Sequence, residues 1–381
     1  MIALSLSLNH CSDEAFSLTS KVSKGKEIGL LSVGTVFPMT GPQAQYGEEA
    51  MLGVELALED IKKSDPEFAK HIRIFRADDR STPQGAKEAA RLLHEKRASI
   101  LMGSVTETNS KALVSENKHL KLPLIIPASS SLAVEFSSPL VFRSCFLDKW
   151  QGELMARFFI NGVRKNSIAV LTDPQSNYST DLGASFKKTL LGLGGKIAYS
   201  GRYFSKRPQF EDHLKKIKMS DAEAIFFPST SVSEITQMME LLKKMHIPIP
   251  LLGGDKWQNS KIKYLAGKAY PGHFFVQNFS PNIPEQLTVD FVRRFKKVTR
   301  RYPSALAAMT YDAMILIGDS FKRAGTMRTN ELLRSISRAE HIPGLLGPIT
   351  VNKYRTAEKS GVVMRTTKNG AQFYQMVHPL S

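Results

Sequence analysis

Apolar positions along this chain come in short runs that alternate with stretches of helical spacing. The stretch from Ile28 to Ile61, IGLLSVGTVFPMTGPQAQYGEEAMLGVELALEDI, sets the pattern. It opens with an apolar run and turns at Pro38-Met39-Thr40-Gly41-Pro42. Ala50, Val54, Ala57, Leu58 and Ile61 then recur with the period of one buried helix face. That order predicts strand, loop, helix, with Thr40, Gly41 and Pro42 as residue types that start a helix well. Such a loop belongs at the carboxyl end of a strand and the amino end of a helix, where open α/β sheets bind ligands.

The rhythm continues. His71 to Phe75 alternates as a strand, and Thr82 with Pro83 starts a helix through Arg97. Ser99 to Met102, Glu107 to His119 and Pro123 to Pro127 follow as strand, helix and strand. A second series has strands at Ser167–Leu171, Lys196–Phe204, Ala224–Phe227 and Ile249–Leu252. Its helices are Thr180–Leu191, Phe210–Lys218 and Glu234–Met245. Repeated β-α units predict parallel sheets with helices on both faces, and this many units exceed one ordinary sheet, so two lobes are expected. Beyond about Phe279 helices dominate, at Pro284–Arg301, Ser304–Arg323 and Thr329–Ala339. A strand at Pro348–Lys353 and a hairpin of Gly361–Arg365 with Gln372–Val377 close the chain.

Composition narrows the class. The 381 residues are 42% hydrophobic, enough for two real cores. No run reaches the roughly 18 apolar residues a bilayer span needs. Cys11 and Cys145 cannot define a disulfide framework, and Cys145 reads as a small buried hydrophobe. The net charge of +17, from 52 Lys+Arg against 35 Asp+Glu, favours an anionic partner such as a cell-envelope surface. Its clusters, Lys215-Lys216-Ile217-Lys218, Arg293-Arg294-Phe295-Lys296-Lys297 and Arg300-Arg301, lie in helical patterns and read as solvated faces. No nucleic-acid-binding signature accompanies them. Met1 to Leu8 resembles the apolar core of an export signal without its basic start, His10 before Cys11 fits a lipoprotein cleavage site poorly, and Ser12 to Lys26 is polar; residues 1–26 read as a signal remnant or disordered leader.

Enzyme signatures are missing. The sequence has no G-x-S-x-G, H-E-x-x-H, P-loop or C-x-x-C, and its nine histidines lack metal spacing. Neither a cofactor nor a metal is expected. The loops rich in polar groups all follow strands: Gly103 to Ser110, Pro127 to Ser131, Asp173 to Thr180, Pro228 to Ser231 and Gly253-Gly254-Asp255. Hydroxyls and backbone N–H groups at helix starts suit a carboxylate, although serine there is more often only a cap.

Several blocks in order carry a family likeness. GTVFPMTGPQAQYGEEAMLGVELALEDI, ADDRSTPQGAKEAARLL, VFRSCFLDKWQG, LLGGD, YPSALAAMTYDAMIL and GLLGPITV resemble the branched-chain amino-acid (Leu/Ile/Val) binding proteins, type I periplasmic binding proteins that serve ABC importers. The likeness spans nearly everything from residue 27. It implies two Rossmann-like α/β lobes with parallel sheets and three interlobe crossovers. The lobes would be 27–145 plus 279–347, and 146–278 plus 348–381.

The resemblance also implies a site. Ala128 and Ser130 fall on the carbonyl and hydroxyl that grip an amino-acid ligand, with Ser129 between them, and Glu107 and Thr108 stand where the family has a Ser-Ser or similar pair. Glu107 departs from that pattern, since a carboxylate there repels a ligand carboxylate unless protonated, bridged by a lysine or turned away. Tyr178 matches a ligand-contacting tyrosine, and Asp255 the acid that pairs with the ligand ammonium. Thr230 is a weaker candidate. Tyr46 matches an aromatic that covers the ligand and Trp257 one that lines the pocket, with core packing the alternative for either.

The implied function is capture of a small polar ligand, an amino acid or related carboxylate, by two closing lobes outside the cytoplasm, for an ABC permease. A monomer with no nucleic-acid partner is expected. The alternative is a ligand-independent cell-envelope interaction or regulatory protein on the same fold.

Overall fold

The computed structural model describes residues 29–129, 138–145, 147–257 and 272–379. Strand β1 (Leu31–Phe37) is buried along its whole length. It lies between β2 (Ile72–Asp78) and β3 (Ile100–Gly103), with β4 (Leu124–Ile126) and β5 (Val141–Arg143) beyond β3, and every pairing is parallel. Helices α1 (Ala44–Ser64), α3 (Pro83–Glu95) and α4 (Glu107–Leu120) join these strands, with a short α2 (Pro66–Ala69) after α1.

The loop before α1 departs from the sequence reading. The helix opens after Gln43 with no side-chain cap. Thr40 instead donates its hydroxyl to Asp78 at 2.6 Å, and the same carboxylate accepts the Met39 and Thr40 amides. A charged acceptor at the end of the neighbouring strand outcompetes a local cap for these donors. Further along, Thr82 and Thr106 cap α3 and α4 as their sequence positions suggest.

The second sheet repeats the first. Strands β6 (Ser167–Thr172), β7 (Lys196–Arg202), β8 (Ile225–Phe226), β9 (Leu251–Gly253) and β10 (Phe274–Gln277) run parallel in the order β7-β6-β8-β9-β10, the counterpart of β2-β1-β3-β4-β5. The antiparallel hairpin β13 (Gly361–Thr367) and β14 (Gly370–Val377) extends it beyond β10. Helices α6 (Asn177–Gly192), α7 (Phe210–Lys218) and α8 (Val232–Lys244) complete the β-α units. Each sheet is packed on both faces, which is why the parallel strands read as continuous apolar runs.

Besides the short α2 and β5 and a two-residue strand at Ala357–Glu358, two longer elements were not legible as such in the periodicity. Helix α5 (Asp148–Arg157) runs into a π-helical turn at Phe158–Gly162, and β10 occupies an apolar run that sequence spacing left unassigned. Gly152 sits inside α5 because α6 approaches there; a Cβ on it would lie 2.4 Å from the Leu182 carbonyl oxygen.

The late helices α9 (Gln286–Thr299), α10 (Ala305–Ala324) and α11 (Thr329–Ser337) lie beside the first sheet's helices. Helices α10 and α1 touch at Gly53, where an added Cβ would stand 2.2 Å from the Ala307 carbonyl oxygen, and Thr310 donates its hydroxyl to the Ala50 carbonyl at 2.9 Å. Arg294 corrects the reading of its cluster as a solvated face. Its guanidinium is largely buried, pairs with Asp60 and Glu59, and so ties α9 to α1. The more exposed Lys215 and Arg293 pair within their own helices, with Asp212 and Asp290.

The chain passes between the sheets three times: after β5, after β10, and between α11 and β13, where a two-stranded ribbon of β11 (Thr350–Val351) and β12 (Ala357–Glu358) lies. The first and third passages run side by side, the Arg143 amide donating to the Arg355 carbonyl at 2.9 Å. Both lean on α10. Ser144 donates to the Met309 carbonyl, while Asp312 accepts the Leu345 amide and, at 2.8 Å, the fully buried Lys359 ammonium.

Candidate functional site

Strand order locates the site. In the first sheet the chain steps from β1 to β2 on one side and then to β3 on the other, and in the second from β6 to β7 and then to β8. The loops leaving the carboxyl ends of β1 and β3, and of β6 and β8, therefore diverge and leave a crevice in each sheet. The sequence candidates lie in these loops, in the loops after the adjacent β4 and β9, or on the helices that follow.

In the first sheet, Tyr46 on α1 is 53% exposed, which removes core packing as its role. Glu107 opens α4 and forms an ion pair with Lys111 one turn on, at 2.5 Å. The bridging lysine answers the repulsion that a bare carboxylate would present, although both side chains are half exposed, which limits the pair to a fraction of a kcal/mol, about 0.3–0.5. Thr108 is exposed beside it. After β4, Ala128 is half-buried and Ser129 is buried with a hydroxyl that has no hydrogen-bond partner among the described residues. The Ser129 carbonyl accepts the Cys145 thiol at 3.1 Å, and burial pushes that thiol up in pKa, as expected of an inert buried cysteine. Ser130 lies outside the described residues.

The second sheet brings its two main candidates together. Tyr178, in the first turn of α6, donates its hydroxyl to Asp255 Oδ1 at 2.9 Å. Asp255 follows β9 in a 3-10 turn, with Lys256 Nζ 3.6 Å from Oδ2 and 5.4 Å from the Tyr178 ring centroid. Burial, reinforced by the Asp255 charge, drives the Tyr178 phenol well above its ordinary pKa, so it stays a donor at any physiological pH. Thr230 is exposed in the loop before α8, and its neighbour Ser229 instead donates to the buried Glu234 at 2.6 Å. Trp257 is fully buried and stacks on Phe275, so it is a core residue.

Two participants were missed at the level of sequence. Gln151, on α5, accepts the Asp255 amide through Oε1 at 2.8 Å, and that oxygen lies 3.3 Å from the Tyr178 hydroxyl. Its only signal was its place in VFRSCFLDKWQG. Gly254 is the reason the three can converge, since a Cβ there would fall 2.1 Å from the Tyr178 oxygen. In the first sheet, Asp79 is fully buried and takes the Ser104 hydroxyl at 2.5 Å. Burial pushes its carboxyl up, partly offset by that hydrogen bond. It stiffens the loop after β3 from the end of β2. Among the described residues no group of three or more His, Cys, Asp or Glu is placed to hold a metal ion, and no helix is long and apolar enough to cross a membrane.

Two parallel sheets of one strand order, joined by three passages and each opening a crevice, define a two-lobed α/β binding fold. The chain belongs to the periplasmic binding protein family, whose model matches residues 31–371. The family is one of binding proteins, and the chain is not an enzyme. It is 23% identical over 317 residues to the leucine-, isoleucine-, valine-, threonine- and alanine-binding protein of Pseudomonas aeruginosa, covering 82% of this chain and 83% of that one. Among solved structures, an ABC-type branched-chain amino acid transporter from Rhodopseudomonas palustris is similar with a TM-score of 0.78 at 17% identity, covering 91% of this chain and 96% of that one. An ABC transporter solute binding protein from R. palustris, in complex with benzoate, is similar with a TM-score of 0.60 at 19% identity, covering 92% and 97%.

Proposed function

We propose that this protein captures an amino acid or a related carboxylate between two closing lobes and delivers it to an ABC permease from outside the cytoplasm. The lobes are 27–145 plus 279–347 and 146–278 plus 348–381, residues 1–26 being a signal remnant or disordered leader, and the protein acts as a monomer. The observation that carries the reading is the Tyr178–Asp255 hydrogen bond at the carboxyl ends of the second sheet. It presents an acid and a phenol where a ligand ammonium would be held. From the first lobe, the Ser129 hydroxyl, which has no partner among the described residues, would with Ala128, Ser130 and Thr108 grip the carboxylate end, Glu107 being paired with Lys111. Tyr46 would cover the ligand and Thr230 border it. The amino-acid-binding relative and the benzoate-bound structure support this ligand class.

A thermal-shift and calorimetry panel of amino acids and small carboxylates tests it. A true ligand at about a hundred times its dissociation constant adds roughly 2.7 kcal/mol of stability. Asp255→Asn keeps an oxygen for Tyr178 but loses the charge, so amino-acid affinity falls by about tenfold or more, whereas affinity for a carboxylate lacking an ammonium is unchanged or improves. A flat response across the panel, with Asp255→Asn silent, would overturn the reading in favour of an interaction protein that uses its basic exterior.

A further inference from the structure

Strand β7 forms one edge of the second sheet, and positive charge gathers on it and on the turn that follows. From Lys187 to Lys218 nine Lys and Arg stand against two acids, a net of +7 out of the chain's +17, so much of the basicity is local to this edge. Both acids lie on α7 and are taken by Lys244 and Lys215. Successive residues of β7 point to opposite faces. On one face Tyr199 bonds His213 of α7; on the other, Ser200 accepts the Lys187 ammonium of α6 at 2.7 Å, with Arg202 close by. Burial and the neighbouring guanidinium both hold that ammonium below its usual pKa.

The turn beyond β7 adds two more cations around an aromatic ring. Phe204, Ser205, Lys206 and Arg207 are all exposed, and the Arg207 amide closes the turn by donating to the Phe204 carbonyl at 2.8 Å. Lys187, Arg202, Lys206 and Arg207 have no ion-pair partner among the described residues. A single exposed phenylalanine is ordinary, but this one, 51% exposed, is held outward from both sides. Tyr203 before it is buried against Phe210 and Phe227 and donates its hydroxyl to Glu234 at 3.1 Å. Ser205 after it donates to the buried Asp173 at 2.8 Å. With Tyr203 anchored inside, alternation along the chain leaves the Phe204 ring on the Arg202 side, facing solvent.

We infer that Phe204 with Lys187, Arg202, Lys206 and Arg207 forms a docking surface for an anionic lipid bilayer, the cations meeting headgroup phosphates and the ring entering the interfacial layer. Charge complementarity sets the sign of the partner, and area decides its kind. A stable protein partner needs about 800 Å² on each side with a desolvated apolar core, and one ring among four cations does not supply that core. A bilayer asks for less: its surface potential acts on each cation within a Debye length, and an aromatic ring sits readily at headgroup depth. One ring and four cations make the attachment weak and reversible. None of these five residues belongs to the proposed cleft, and the inference does not rest on the ligand reading.

The test sediments the full chain with vesicles of phosphatidylcholine alone and of equimolar phosphatidylcholine and phosphatidylglycerol. The protein binds the second and not the first, and added sodium chloride releases it. Lys206→Gln with Arg207→Gln weakens binding by about tenfold or more, and Phe204→Ser by about threefold or more. Arg293→Gln with Lys297→Gln, which removes the same charge from the exposed face of α9, has a much smaller effect. Absence of binding to the anionic vesicles would overturn the inference, as would equal binding to both kinds. An equal loss in the α9 variant would overturn it too, since general charge would then be responsible. Tighter binding of poly-L-glutamate than of the anionic vesicles, with the same loss on removal of Lys206 and Arg207, would overturn it in favour of an acidic protein surface.

Discussion

His273, at the start of β10, is buried, and its Nδ1 accepts the Leu251 amide at 3.0 Å, which puts the proton on Nε2. Burial lowers its pKa from 6.5 to about 4. Between those values the unfolded chain binds a proton that the folded chain refuses, so stability rises with pH across that window. The neutral ring's contribution is complete above about pH 6.5 and is lost as pH falls towards 4, to the extent of about 3 kcal/mol. Urea denaturation at neutral and mildly acid pH checks this: His273→Asn, which retains an acceptor for Leu251, should have a flatter acid limb than the unsubstituted protein. An unchanged limb would show that other groups set the acid response. Nothing in the sequence distinguished His273 from the other eight histidines, because the property comes from burial. The caps were different. Thr82 was readable because a cap needs only a donor three residues away, whereas Ser176 and Ser231 cap helices that begin three and two residues ahead of where spacing placed them.

At the scale of elements, glycine marks where helices approach most closely. Gly53 lets α1 meet α10, and the Ala307 carbonyl leaves no room for a side chain. Gly53→Val should therefore cost at least about 1–3 kcal/mol, read as a lower urea midpoint at unchanged slope. Gly192, the last residue of α6, has open space around its Cβ position. Gly192→Ala should be neutral or stabilising by up to about 1 kcal/mol, and a loss comparable to that of Gly53→Val would refute the close-contact argument. Strands and helices with clean periodicity were legible, because burial of one face or of both writes itself into spacing. Helix α5 was not, since Gly152 and Trp150 answer to α6 and Gly361, partners far along the chain. Arg294 was misassigned for the same reason. Its place in a basic run says nothing of Asp60 on another helix.

For the molecule as a whole, the passages between the sheets are held by a charge pair sealed from solvent, Asp312 on α10 and Lys359 ahead of β13. Lys359→Met leaves a buried carboxylate without its cation and should cost about 3–5 kcal/mol, whereas Lys359→Met with Asp312→Leu should recover much of that loss. Chemical denaturation of the single and double variants gives the comparison, and an uncorrected double variant would mean that the pair does more than neutralise itself. The sequence by itself determined the β-α order, the two parallel sheets and the family, because repeated apolar spacing and local motifs are recorded along the chain. Only the tertiary structure decided that Tyr178 meets Asp255, that Trp257 belongs to the core, and that Lys111 bridges Glu107. Periodicity reports which face of an element is buried; which charges then meet or are left short depends on how the elements cross, and that is set by packing between residues far apart in the chain.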